Sequence, residues 1–190
     1  MKTWIPPSIL SADLANLHAE LQRLSQAGAD MVHIDVMDGC FVDNLTYGVP
    51  VVAAMRHHCD LPFDVHLMVQ TPQKLLERFM DAGADLVTFH LESDCDPSKM
   101  ITSIVRRGKK PAVAIKPDTP VQSVFPYLED LYMVLIMTVE PGFGGQAFLP
   151  HTLGKVQQLR EELNRRGLSV HIQGDGGINA QTADAVRGAG

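Results

Sequence analysis

Long apolar runs are missing from this 190-residue sequence. No window approaches ~18 uninterrupted apolar residues, and the opening MKTWIPPSIL turns to Trp, Pro and Pro where a secretory leader would stay apolar. Neither a membrane span nor a cleaved leader is expected. Cysteine is scarce too: Cys40, Cys59 and Cys95 are odd in number and show no CxxC spacing. That excludes a disulfide framework and a thiolate zinc site, and fits a reducing, cytoplasmic setting. There is no basic surplus either. The formal net charge is −6 without a long single-sign run, so no nucleic-acid or membrane partner is expected and a small anion would need a local site. What the sequence does have is 45% apolar and 20% charged residues, material for one well-buried core and a single domain over 1–190.

Short apolar runs recur at Trp4–Leu10, Met31–Met37, Phe63–Met68, Leu86–Leu91, Ala112–Ile115, Met133–Val139 and Ser169–Gln173, which predicts seven strands. Between the first two, Asp13 is a candidate cap for a helix with Leu14, Leu17, Leu21 and Leu24 on one stripe, ending at Gly28. Further helices are expected near Val49–His58, Pro72–Ala82, Pro97–Arg107, Val121–Leu128, Thr152–Arg166 and Ala180–Arg187. Strict alternation implies parallel strands, and seven such units favour an α/β fold of the TIM-type (β/α) barrel kind over an open doubly wound sheet. An Ala-Gly-Ala-Asp tag precedes two of the strands, at Ala27–Asp30 and Ala82–Asp85. The sequence closes on Gly188-Ala189-Gly190, where a similar tag would introduce an eighth strand, so the barrel is expected to be C-terminally incomplete, truncated before the eighth βα unit.

Active sites of such barrels sit at the C-terminal ends of the strands. In the second run His33, Asp35 and Met37 alternate on one face; in the third, Asp64, His66 and Met68 do the same. A lone strand histidine is usually a hydrogen-bonded core residue. Two histidines beside a carboxylate instead make a common set of ligands for a divalent ion. Asp175, between Gly174 and Gly176, adds a second carboxylate, although Asp-Gly alone also reads as a turn. The glycines of Gly142-Phe143-Gly144-Gly145 suit backbone N–H groups wrapped around a phosphate, or simply a tight βα loop.

Five strings, Pro7–Asp13, His33–Gly39, Asp64–Met68, Met137–Gln146 and Asp175–Gly177, closely resemble in order the motifs of ribulose-phosphate 3-epimerase. That resemblance implies that His33, Asp35, His66 and Asp175 hold one divalent metal ion (Zn, Fe, Mn or Co), with Asp35 and Asp175 the catalytic acid/base pair. It implies that Ser8 and His66 touch substrate and that Gly142, Phe143, Gly144 and Gly145, with Asp175, Gly176 and Gly177, line the substrate and phosphate side. Met37, Met68 and Met137 would form an apolar rim. The implied reaction interconverts D-ribulose 5-phosphate and D-xylulose 5-phosphate through an enediolate, in the pentose phosphate pathway, with homo-oligomerisation left open. The rivals are a D-allulose-6-phosphate 3-epimerase, with the same reacting centre, and a non-catalytic metal- or phosphate-binding fragment. A decarboxylase like that for orotidine phosphate would need an Asp-x-Lys-x-x-Asp string, which does not occur. Departures from the family pattern are Cys40 and Asp43 in the loop after the second run, Gln173-Gly174 before Asp175, and the eighth unit, whose lack is expected to weaken phosphate affinity and stability.

Overall fold

The computed structural model describes residues 3–190. Six parallel strands run in sequence order across one sheet: β1 Val32–Met37, β2 Phe63–Met68, β3 Leu86–His90, β4 Lys110–Ile115, β5 Met133–Met137 and β6 His171–Asp175. The α-helices are α1 Leu17–Gln26, α2 Val49–Arg56, α3 Leu76–Asp81, α4 Pro97–Arg106, α5 Leu153–Arg166 and α6 Ala183–Ala189. The sheet curls into part of a (β/α) barrel.

The first expected strand is a correction. Trp4–Leu10 forms no strand; Ser8 makes only an isolated parallel bridge to His33, and Ile9–Ser11 turns into a 3-10 helix. Pro6 and Pro7 explain why, since proline has no N–H to give to a ladder. His33 N bonds to Pro7 O and Asp30 accepts from Ile5 N, so the segment still lies along β1. The expected first helix also starts late: Asp13 caps a 3-10 turn over Leu14–Asn16, Leu14 is exposed, and only Leu21 of the stripe is fully buried. The segment expected as a helix at Val121–Leu128 is 3-10 over Val121–Asp130, with Pro126 inside it.

Alternation along the strands sorts the interior into two layers. Ile34, Val65, Val87, Phe89, Val113 and Ile136 point outward and bury against Leu21, Val52, Phe79, Ile104, Val124 and Leu159 of the surrounding helical segments. The inward set changes character around the sheet. On β4 and β5 it is small or apolar, Ala112, Ala114, Met133, Leu135 and Met137, whereas on β1 to β3 it is His33, Asp35, Asp64, His66, Thr88 and His90, all at most 3% exposed. Burying so many polar side chains is unfavourable unless they pair or bind something. The polar half of the barrel interior is therefore where function must lie.

Candidate metal centre and active-site mouth

The register puts the chemistry together. His33 pairs with Asp64 and Asp35 with His66 across β1 and β2, while β6 at the other sheet edge brings Asp175 to the same point. One ligand atom from each of His33, Asp35, His66 and Asp175 lies within 4.8 Å of all the others. His66 Nδ1 is 3.0 Å from Asp35 Oδ1 and 3.8 Å from Asp175 Oδ2; His33 Nε2 is 3.2 Å and 3.8 Å from the same two oxygens.

Neighbouring side chains set which nitrogen faces the cluster. Asp64 Oδ2 lies 2.6 Å from His33 Nδ1 and can only accept, so Nδ1 carries the proton and Nε2 turns a lone pair inward. Asp64 also accepts from Thr88 Oγ1 at 3.0 Å and from Gln173 Nε2 at 3.2 Å. On the second imidazole, His66 Nε2 lies 2.9 Å from His90 Nε2, and His90 Nδ1 lies 3.1 Å from Glu92 Oε2. Ser8 Oγ donates to Asp35 Oδ2 at 2.5 Å, leaving Oδ1 for the cluster.

Among the described residues, His33 Nε2 is the one buried side-chain nitrogen or oxygen without a hydrogen-bond partner. An imidazole lone pair aimed at two carboxylate oxygens is unfavourable by itself and suited to a cation among all three, so these residues fit a divalent ion. Charge tells the same story. Burial opposes an imidazolium at His33, yet Asp35 and Asp64 outweigh it and raise its pKa well above the ordinary value. Burial would raise Asp35, but His33 and His66 hold it far below the usual carboxylate range. Burial and the Asp35 charge push Asp175 up. Burial lowers His90 to about 4, against the pull of Glu92, so at neutral pH it is uncharged. The buried carboxylates thus favour a positive charge among them, on His33 when no ion is present, as those of a cation site do.

The mouth of the barrel lies over this centre. Met37 and Met68 pack with Val42, Leu10 and Phe41, and Met137 lies on the inner face of β5, so the three methionines line the cavity beside Asp35 and Asp175. The cavity, about 1160 Å³, also takes in Ser8, Gly142, Phe143, Gly144, Gly145, Gly176 and Gly177, and extends along β6 past Gln173 to Tyr132, His171 and Trp4. Phe143 is exposed at the rim.

The turn after β6 is fixed by close approach. Thr138 N donates to Asp175 O at 2.7 Å, and Thr138 Oγ1 lies 2.8 Å from Asp175 O and 2.6 Å from Gly176 O. A Cβ on Gly176, at φ +102°, would sit 2.2 Å from Val139 Cγ2; one on Gly177, at φ +66°, would sit 2.6 Å from Phe148 N. Both positions thus require glycine. Asn44 Nδ2 donates to Gly142 O at 2.8 Å, tying the loop after β1 to the loop after β5.

All the residues picked from sequence line the cavity or the buried cluster beneath it. His90, Glu92 and Thr88 were missed, and Asp64 was placed on the right face without a role. A signal existed for His90 and Glu92: two residues apart at the end of the Leu86–Leu91 run, they repeat the spacing of His33 and Asp35.

Comparison with known proteins agrees with this geometry. Residues 4–190 match the Ribulose-phosphate 3 epimerase family. The chain is 45% identical to the cytoplasmic isoform of ribulose-phosphate 3-epimerase from Oryza sativa, covering 98% of this chain and 82% of the relative. It is 45% identical to the Treponema pallidum ribulose-phosphate 3-epimerase (98% and 85%) and 43% identical to that of Bacillus subtilis (98% and 86%). Among solved structures, a mutant tryptophan synthase alpha-subunit from Pyrococcus furiosus superposes with a TM-score of 0.67 at 13% identity, over 98% of this chain and 82% of that one, a likeness of fold alone.

Proposed function

The chain belongs to the ribulose-phosphate 3-epimerase family and is an epimerase of carbohydrate metabolism, and on that premise we propose that Asp35 and Asp175 exchange the proton at carbon 3 of D-ribulose 5-phosphate to give D-xylulose 5-phosphate. The observation that carries the assignment is the meeting of two carboxylates from β1 and β6 at one point under the cavity. Inverting a carbon centre requires a base on one face and an acid on the other. In the metal-free protein the two carboxyls already differ, His33 and His66 holding Asp35 down while burial and the Asp35 charge push Asp175 up. The roles exchange in the reverse direction.

His33, Asp35, His66 and Asp175 would hold one divalent ion. Such an ion supplies Lewis-acid stabilisation of the oxyanion that develops when the carbon 3 proton leaves. Ser8 orients Asp35 through its hydroxyl and, with His66, borders the substrate oxygens. Met37, Met68 and Met137 exclude water from the reacting carbons and offer polarizable sulfur to a planar enediolate. Gly142, Phe143, Gly144 and Gly145, with Gly176 and Gly177, receive the phosphate end through backbone N–H groups. The three free cysteines and the cytoplasmic rice relative support a cytoplasmic setting. No helix among the described residues is long and apolar enough to cross a membrane.

The test incubates metal-loaded protein in deuterated water with D-ribulose 5-phosphate and, separately, D-allulose 6-phosphate. Deuterium at carbon 3 with faster turnover of the pentulose is the expected result. Faster turnover of the hexulose would reassign the substrate, and metal binding without exchange on either sugar would leave a binding protein.

A further inference from the structure

Beneath the metal cluster, a second line of side chains runs from His66 away from the cavity. His66 Nε2 faces His90 Nε2 at 2.9 Å, His90 Nδ1 faces Glu92 Oε2 at 3.1 Å, and Glu92 Oε1 accepts from Lys116 N at 2.8 Å and from Thr119 Oγ1. Lys155, from α5, holds the same loop from outside by donating to Lys116 O and Thr119 O. Phe41 lies over His90 with ring centroids 4.8 Å apart, and Lys116 Nζ lies over Phe41 at 4.2 Å. His90 is thus closed off from solvent, and the line is anchored at its far end, through the partly exposed Glu92, to the loop after β4.

We propose that His90 and Glu92 are positioning residues that dictate which nitrogen of His66 carries its proton, and so present Nδ1 as a bare lone pair to the metal site. The logic is one of single protons. A carboxylate oxygen only accepts, so His90 Nδ1 is the protonated nitrogen and His90 Nε2 the acceptor. His66 Nε2 must then donate, which leaves Nδ1 unprotonated, facing Asp35 and Asp175. Asp64 does the same for His33 through one bond; Glu92 does it for His66 through two. The inference rests on the metal-site reading above.

Glu92→Gln separates orientation from architecture. The amide can keep its oxygen toward Lys116 N and Thr119 Oγ1, so the loop anchor survives, but it places an NH₂ donor where His90 Nδ1 needs an acceptor. Both imidazoles then flip tautomer and His66 presents a protonated Nδ1. The measurement is zinc affinity, by competition with a chromogenic chelator, in wild type, Glu92→Gln, His90→Gln and the site control His33→Ala, together with ¹⁵N–¹H spectra of zinc-free protein. Expected results are a fall in zinc affinity of roughly 10- to 100-fold for Glu92→Gln, loss of the wild-type His66 Nε2–H signature, and turnover that recovers at saturating metal. His90→Gln, which keeps an acceptor for His66, should lose less affinity than Glu92→Gln. If His33→Ala weakens zinc binding while Glu92→Gln keeps wild-type affinity and the wild-type His66 spectrum, the positioning role is wrong and the metal site stands. Zinc affinity untouched by His33→Ala would overturn the metal site itself, and this inference with it.

Discussion

Asp35 and Asp175 differ in how firmly they are held, and that difference matters to a reaction that uses both. Asp35 is pinned by Ser8 and both histidines and is 3% exposed; the Asp175 side chain is 20% exposed and reaches the cluster from the edge strand. Each is needed for inversion, so Asp35→Asn and Asp175→Asn should each lower the rate of carbon 3 exchange by roughly 10²- to 10⁴-fold; exchange in deuterated water, followed by NMR, reads this directly. Asp64 acts one bond further out. Asp64→Ala should cost roughly 10- to 100-fold in metal affinity while the chain stays folded, because His33 loses the acceptor that fixes its Nδ1–H; chelator competition alongside circular dichroism separates the two effects. At this scale the sequence was informative where chemistry alternates along a strand. For His90 it offered a spacing but no partner, because neighbouring-strand register is invisible in one dimension: Thr88, not His90, pairs with His66, and the diagonal contact arises from the stagger of the strands.

Among elements, most helix ends and strand cores were legible from apolar periodicity and from Pro and Gly at the boundaries. α4 shows why: Asp96 caps it by accepting from Lys99 N, Pro97 opens it, and Met100, Ile101 and Ile104 form its buried face. The Trp4–Leu10 segment misled because its composition is apolar while Pro6 and Pro7 deny it a ladder. The run at Ser169–Gln173 lies two residues early, since β6 is His171–Asp175 and continues through Gly174, a residue that sequence patterns treat as a break. The turn leaving β6 is the least forgiving element. Gly176→Ala should cost at least the ~1–3 kcal/mol of a left-handed non-glycine residue, with the Val139 clash added, and should cut catalysis by displacing Asp175; urea titration and steady-state kinetics measure the two losses.

For the whole molecule, stability rests on the outer apolar layer and function on the inner polar one. Phe89, fully buried between sheet and helices, should cost roughly 3–5 kcal/mol on replacement by alanine, seen as a lowered urea midpoint. The inner layer governs acid behaviour. In metal-free protein His90 is held near 4 against an ordinary 6.5, and Glu92 near 2 against 4.5. Folded pKa values below the unfolded ones mean that the unfolded chain binds more protons, so both contributions are intact above the ordinary values and fade as pH falls, His90 first and Glu92 after it. The His33 contribution has the opposite sign, being complete below its ordinary value and lost as pH rises through its raised one. Urea midpoints of the metal-free protein should therefore drop steadily from about pH 6 to about pH 3, and an unchanged midpoint would contradict this account. The Phe41 ring laid over His90, with the Lys116 ammonium above it, carries one more consequence, and it concerns time. Imidazole N–H protons beneath such a cover meet water only when the loop after β1 lifts, so they should persist as sharp downfield resonances, and their disappearance rate would serve as a clock for how often the barrel mouth opens.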